Sequence, residues 1–318
     1  MTDEILTTTI PEHYARQRLD AVLGELFPDY SRSRLQQWIK AGKVMLDGQQ
    51  PRARDKVQGF ETVEIHIEPE ALDDRVEAEN IALDMIYQDN DLIVINKPVG
   101  LVVHPAAGHP SGTLQNALLH YEPKLVEVPR AGIVHRLDKD TSGLLVVARN
   151  LKSHKSLVDQ LQARSVHREY QAVAMGLLTA GGTVDEPIGR HPRDRKRMWV
   201  REDGKEAITH YRVTERYRGH TRIKVNLETG RTHQIRVHMA YIHHPLVGDS
   251  VYGGRLKIPK GASEALKTSL RNFNRQALHA GRLGLIHPST GEACEWQSEM
   301  PEDMQALVQV LQEDAEHD

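Results

Sequence analysis

The sequence predicts an α+β protein, with a mixed, mainly antiparallel central sheet and flanking helices, preceded by a small helical module. Two observations carry that prediction. Between residues 85 and 230, the runs "DLIVINKP", "SGLLVVAR", "REYQAVAMG", "HYRVTERY" and "TRIKVNLET" read as strands, and several neighbours have short connectors that favour antiparallel pairing. Helical periodicity is confined to isolated segments, among them "LKSHKSLVDQLQAR", which sets Leu151, Leu157, Val158 and Leu161 on or near one face.

The elements follow in order. Residues 1–66 are expected to form the first domain. Within it, "QRLDAVLGELF" places Leu19, Val22, Leu23, Leu26 and Phe27 at helical spacing. Ser31 is placed to cap a second helix, from about Arg32 to Ala41, which Gly42 stops. "KVMLDGQQ" reads as a strand, an Asp47-Gly48 turn and a further extended piece. The acidic stretch "IEPEALDDRVEAENIALD" has no periodic pattern, and residues 67–80 are the expected linker. The second domain is expected to occupy residues 81–318. It begins with strand, Asp89-Asn90-Asp91 turn and strand in "DMIYQDNDLIVINKP". "NKPVGLVVHPAAG" combines a Lys-Pro turn with an apolar strand, "GTLQNALLHY" is a short helix, and "THQIRVHMAYI" is a helix after a turn at Gly230.

A chain of 318 residues suits two domains, and 39% hydrophobic residues can support a packed core. No apolar run approaches the roughly 18 residues of a membrane span. The N-terminus has acidic residues before any basic one and lacks a signal-peptide pattern. The single cysteine, Cys294, excludes an internal disulfide and suits a reducing compartment. A soluble cytoplasmic protein is expected.

The net charge of −3 conceals segregation. Residues 11–60 carry +3, residues 61–84 carry −8, residues 302–318 carry −6, and the body between 85 and 301 carries +10. A basic body beside acidic segments suggests a polyanionic partner, although a solvated mixed-charge surface would show the same sums.

No G-x-G-x-x-G follows a strand and no Walker loop is present, so no nucleotide cofactor is expected. His233 and His238 are five residues apart, which does not put both on one helical face, and packing or RNA contact is favoured over a metal. The segment "HRLDKDTSG" (135–143) draws attention to Asp138. Arg136 and Lys139 could keep its carboxylate ionised, and Thr141 and Ser142 could fix the loop by local backbone bonds. Such a group can serve as nucleophile or general base. Asp140 could do the same, and an Asx-type turn leading into a strand is the plain alternative. Arg231, Gln234 and Arg236 in "LETGRTHQIRVHM" lie near a helix start that favours an anion. "RHPRDRKRMWVREDGK" (190–205) interleaves Arg195, Lys196 and Arg197 with Trp199, a pattern suited to phosphate contact and base stacking, or else an exposed hairpin loop.

Two resemblances sharpen this reading. "RLDAVLGELFPDYSRSRLQQWIKAGKVMLDG" resembles the S4 domain, an RNA-binding module, which implies RNA contact by Arg32, Arg34 and Lys43. "NKPVGLVVHP", "HRLDKDTSGLLVVA", "REYQAVAMG", "LETGRTHQIRVHM" and "HPLVGDSVYGG" occur in the order seen in RluA/RluD-like pseudouridine synthases, across about residues 16–300. That resemblance implies the pseudouridine synthase fold and isomerisation of uridine in RNA, without cofactor or metal. It makes Asp138 the catalytic carboxylate and Asp140 a bystander. Arg136 would flip the target base or take its place, Tyr170 would stack on the uracil, and Arg236 would pair with Asp138. Arg168 stands where many relatives have lysine. The implied substrate is large-subunit (23S) ribosomal RNA, at the stem-loop called helix 69, free or in a pre-ribosomal particle, met by a monomer. Alternatives are another rRNA or tRNA site, or a non-catalytic RNA-binding assembly factor. A glycoside hydrolase using Asp138 lacks an identified acid partner.

Overall fold

A computed structural model describes residues 4–27, 32–67, 76–106, 109–194 and 197–316. The chain divides into two compact units, Met1–Arg75 and Val76–Asp318.

In the first unit, strands β1 (Glu4–Thr9), β2 (Val44–Leu46) and β3 (Thr62–Ile67) make an antiparallel sheet of order β1-β3-β2. Helices α1 (Leu19–Leu26) and α2 (Arg32–Lys40) cover it. Leu35, Trp38 and Ile39 are buried at i, i+3 and i+4 and meet Leu19, Val22, Leu23, Val44, Val63 and Ile65 in one core. Asp47 and Gly48 both have positive φ (48° and 73°), as a tight type I′ turn requires. The extended piece expected after that turn adds only the Leu46–Gln49 bridge, and β2 pairs instead with β3.

The second unit carries strands β4 (Met85–Gln88), β5 (Leu92–Lys97), β6 (Ser142–Ala148), β7 (His167–Met175) and β8 (Gly182–Asp185). A two-stranded ribbon, β9 (Ile188–Arg190) and β10 (Met198–Val200), follows, then β11 (Ile208–Arg216), β12 (His220–Leu227), β13 (Leu278–Ile286) and β14 (Ala293–Gln297). Its helices are α3 (Leu114–Tyr121), α4 (Leu151–Gln162), α5 (Gln234–Tyr241), α6 (Glu264–Asn272) and α7 (Glu302–Glu316). The nine-stranded sheet runs β4-β5-β6-β13-β7-β12-β11-β8, with β14 paired to β13. Only β6–β13 is parallel, so the sheet is mixed and mainly antiparallel. β6 is buried along its whole length, which is why its sequence is a continuous apolar run rather than an alternating one.

One expectation needs correction here. The apolar stretch after Lys97 is not a strand: Val102 makes a single bridge to Thr113, while Leu101 and Val103 enter the core from an irregular segment. Residues 76–80, inside the expected linker, are tied to α3. Asn116 Nδ2 donates to the Glu77 carbonyl at 2.8 Å, and the Glu79 amide donates to the Asn116 carbonyl at 3.0 Å. Among the described residues no helix is long and apolar enough to cross a membrane.

Candidate active site

Asp138 lies in the turn that leads into β6, and long-range bonds hold that turn. Leu137 before it is buried in the core. Thr141 N–H donates to the Asp138 carbonyl at 3.1 Å. Lys97 at the end of β5 is fully buried, and its ammonium donates to the carbonyls of Pro98 (2.7 Å), Leu101 (2.9 Å) and Lys139 (3.0 Å). Burial pushes its pKa down to about 8, against the pull of Asp140 and Asp138. Lys139 therefore serves the turn through its carbonyl, while its side chain is exposed. Thr141 and Ser142 do not close local turns: Thr141 Oγ1 accepts from Gln276 Nε2 at 3.0 Å, and Ser142 Oγ meets His279 Nδ1 at 3.0 Å. Their partners are fixed by the β6–β13 pairing, invisible to local sequence.

Helix α5 supplies the opposing charge. Arg236 Nη1 donates to Asp138 Oδ2 at 3.0 Å. Its other edge is clamped by Asp249, with Nε to Oδ2 at 2.7 Å and Nη2 to Oδ1 at 2.9 Å. Asp249 Oδ1 also accepts the amides of Val251 and Tyr252, both at 2.9 Å, and the Arg236 guanidinium lies over the Tyr252 ring at 5.1 Å. Burial alone would lower the Arg236 pKa, but Asp249 first and Asp138 second raise it. Burial likewise opposes the charged form of Asp249, and Arg236 overcomes it and lowers its pKa.

His233 completes the surround. It starts α5 with φ 57° and ψ 21°, in the left-handed region. Its Nδ1 is 2.9 Å from the Tyr252 hydroxyl, and its Nε2 is 3.9 Å from Asp138 Oδ1. Burial lowers its pKa, so the ring is neutral near pH 7. The Tyr252 oxygen accepts the Met198 amide at 2.9 Å and has its own proton left for His233 Nδ1.

The open side of Asp138 is a cavity of about 570 Å³ lined by Asp138, Tyr170, Arg136, Arg168, Arg231 and Arg236, among others. Tyr170 comes from β7 and is 5% exposed. Burial raises its pKa, so it is a neutral phenol that can stack or donate a proton rather than carry charge. Arg136 is exposed at the rim. Arg231 reaches from the turn before α5, with Nε donating to the Glu206 carbonyl at 2.9 Å. Arg197 lies over the other side of Tyr252, 5.5 Å from its centroid. Trp199 is half exposed on β10 and meets His191 edge-on at 5.6 Å.

Thus Asp138, Tyr170, Arg236, Arg136 and Arg231 gather round one cavity, while Arg197 lies outside its lining, against Tyr252. Lys43 immediately precedes β2 in the first unit and is half-buried. Arg195 and Lys196 lie outside the described residues, as do the side chains of Arg32 and Arg34. Sequence reasoning gave no role to Asp249 and Tyr252, although both lie in the quoted segment "HPLVGDSVYGG". Their acid and phenol in an otherwise apolar, glycine-rich run were the available signal.

A mixed sheet thus delivers an arginine-held carboxylate and a buried phenol into an arginine-lined cavity, a site equipped for acid–base or nucleophilic chemistry on a polyanionic substrate. Known proteins agree. The family model described as RNA pseudouridylate synthase matches residues 91–241, and that of the S4 domain matches residues 17–63. The chain is 56% identical over 312 residues to ribosomal large subunit pseudouridine synthase D of Escherichia coli K12, covering 98% of this chain and 95% of that one. It is 55% identical over 308 residues to the protein of the same name from Xanthomonas campestris, covering 96% and 92%. Among solved structures, human RNA pseudouridylate synthase domain containing 4 superposes with a TM-score of 0.57 at 25% identity, over 72% of this chain and 93% of that one. Human RNA pseudouridylate synthase domain containing 1 gives 0.53 at 27% identity, over 70% and 86%. The chain belongs to the RNA pseudouridylate synthase family and is a pseudouridine synthase with an N-terminal S4 domain.

Proposed function

We propose that this enzyme isomerises uridines of 23S ribosomal RNA in the large subunit, at the helix 69 stem-loop, with Asp138 as catalyst. The 55–56% identity to ribosomal large subunit synthases over nearly the whole chain supports the rRNA substrate. The Arg236–Asp138 ion pair at the floor of the arginine-lined cavity carries the mechanistic reading. The enzyme works as a cytoplasmic monomer on free rRNA or on a pre-ribosomal particle.

The target uridine leaves its stack, because a carboxylate at the bottom of a cavity cannot reach a ribose within a helix; a loop uridine costs least to extrude. Arg136 at the rim fills the place of the extruded base. Arg231 and Arg195–Arg197 hold phosphates, and in the first unit Arg32, Arg34 and Lys43 bind neighbouring RNA. In the cavity Tyr170 stacks on the uracil. Asp138 acts on the ribose while Arg236 Nη1 and His233 Nε2 face its two oxygens. The N1–C1′ bond breaks, the uracil turns, C5 bonds to C1′, and the C5 proton is lost as N1 gains one.

Pseudouridine mapping in rRNA from cells expressing wild type or Asp138→Asn tests this. Wild-type cells should carry the modification and the variant cells should lack it. Equal modification in both would remove Asp138 from the mechanism, and modification confined to another RNA would remove the substrate assignment.

A further inference from the structure

One buried cation in the cavity has no role in the account above. Arg168 and Tyr170 are two residues apart on β7, so both face the same side of the sheet, and both line the cavity. Arg168 is 7% exposed. Its guanidinium makes one hydrogen bond, from Nη2 to the Glu228 carbonyl at 3.3 Å; Nε is buried without a partner. Nη1 lies against Gly230, where an added Cβ would come within 2.8 Å of it, and it donates to no described residue.

The other arginines of the cavity are differently placed. Arg164 is neutralised by Glu206 and Glu228, and Arg236 by Asp138 and Asp249. Arg130 and Arg136 are exposed to solvent. Arg231 is half-buried. Among the described cavity residues, Arg168 is the buried arginine with no carboxylate partner. A buried, unpaired charge is costly, and its persistence signals an anion that the site receives.

We propose that Arg168 is a catalytic residue that donates to a carbonyl oxygen of the target uracil and stabilises the negative charge formed when the N1–C1′ bond breaks. This rests on the cavity being the uridine site. The electron pair of the broken bond leaves with the base and spreads over N1, O2, C5 and O4. The ribose keeps the electron deficiency, which Asp138 relieves by bonding to C1′ or by taking the 2′ proton. C5 then forms its bond to C1′ as the Asp138–C1′ bond breaks or the abstracted proton returns to C2′; the C5 proton departs and N1 is protonated, so no electrons are gained or lost overall. A donor preset beside the ring that Tyr170 stacks on favours the anion over the neutral base, as an oxyanion hole does. RNA phosphates remain on the strand at the cavity rim, whereas Arg168 lies inside, beside the place of the base.

The test is single-turnover kinetics of Arg168→Gln and Arg168→Lys on an RNA with one target uridine, and on the same RNA with 5-fluorouridine there. Fluorine makes uracil a better leaving anion, which needs less help. Arg168→Gln should slow the saturated rate on uridine about 100-fold, with RNA affinity within about threefold, and Arg168→Lys should recover most of that loss. On 5-fluorouridine the gap between wild type and Arg168→Gln should shrink at least about tenfold. Equal gaps on the two RNAs, or a loss confined to affinity, overturns the assignment. Should Arg168→Gln fail to fold, the same comparison of gaps is read on Arg168→Met. Asp138→Asn is run beside them: an inactive Asp138→Asn with a fully active Arg168→Gln refutes only the role of Arg168, and an active Asp138→Asn refutes the site itself.

Discussion

At the scale of single residues, the site is a chain of dependencies that ends at Asp249. Arg236 has two edges: one holds Asp138, and the other is held by a fully buried carboxylate that faces away from the cavity. Asp249→Asn keeps the shape and removes the charge that permits a buried arginine. Breaking one partner of such a pair typically costs about 3–5 kcal/mol. The freed Arg236 would also turn, taking Asp138 with it. Asp249→Asn should therefore unfold at clearly lower denaturant concentration and lose at least about tenfold in single-turnover rate, while RNA affinity holds. Chemical denaturation and filter binding on one preparation check both halves; a stable variant with normal rate would show that Asp249 does not place Arg236.

At the scale of elements, the site exists because β6, β13 and β7 lie side by side. Gly143 shows how close that approach is. Its φ is +115°, and a Cβ there would sit 2.3 Å from the Ala280 carbonyl of β13. Gly143→Ala must push the two strands apart or bend β6, so it should destabilise the second unit by several kcal/mol, at the large end for point substitutions. Thermal unfolding followed by far-UV circular dichroism measures it, and a shift of less than about 2 °C would contradict the geometry. The same three strands show what the sequence made legible. The apolar run of β6, the strand at "REYQAVAMG" and the helix at "THQIRVHMAYI" were readable, because each carries its signal within its own residues. β13, in the middle of the sheet, was not: "LHAGRLGLI" contains two glycines and an arginine, and its pattern follows from partners on both edges. Likewise Asp138, Tyr170 and Arg236 could be picked out as family motifs. Their supports, Lys97, Asp249 and the Tyr252–His233 pair, act through tertiary bonds that no local pattern announces.

At the scale of the whole chain, composition and structure mark the passage between the two units differently. The acidic run suggests a linker through residue 80, but residues from 76 onward belong to the second unit. Glu79 accepts the Gly112 amide at 2.9 Å through its side chain, and Val76, Ile81 and Leu83 pack on the main core. Asn116, buried in α3, needs the Glu77 carbonyl to satisfy its amide. A fragment of residues 76–318 keeps all these bonds. A fragment of residues 81–318 leaves the buried Asn116 side-chain amide without its acceptor, at a cost of about 1–3 kcal/mol. Both fragments should fold, with the shorter one melting several degrees lower in calorimetry; equal melting temperatures would put the boundary at residue 80. The longer fragment retains the basic body and loses the S4 domain. Its RNA affinity should fall below that of the full chain, and its binding should still weaken steeply as salt rises, because counterion release depends on the arginines that remain. A salt-independent affinity would remove the cavity-bearing unit as an RNA-binding surface and leave recognition to the S4 domain alone.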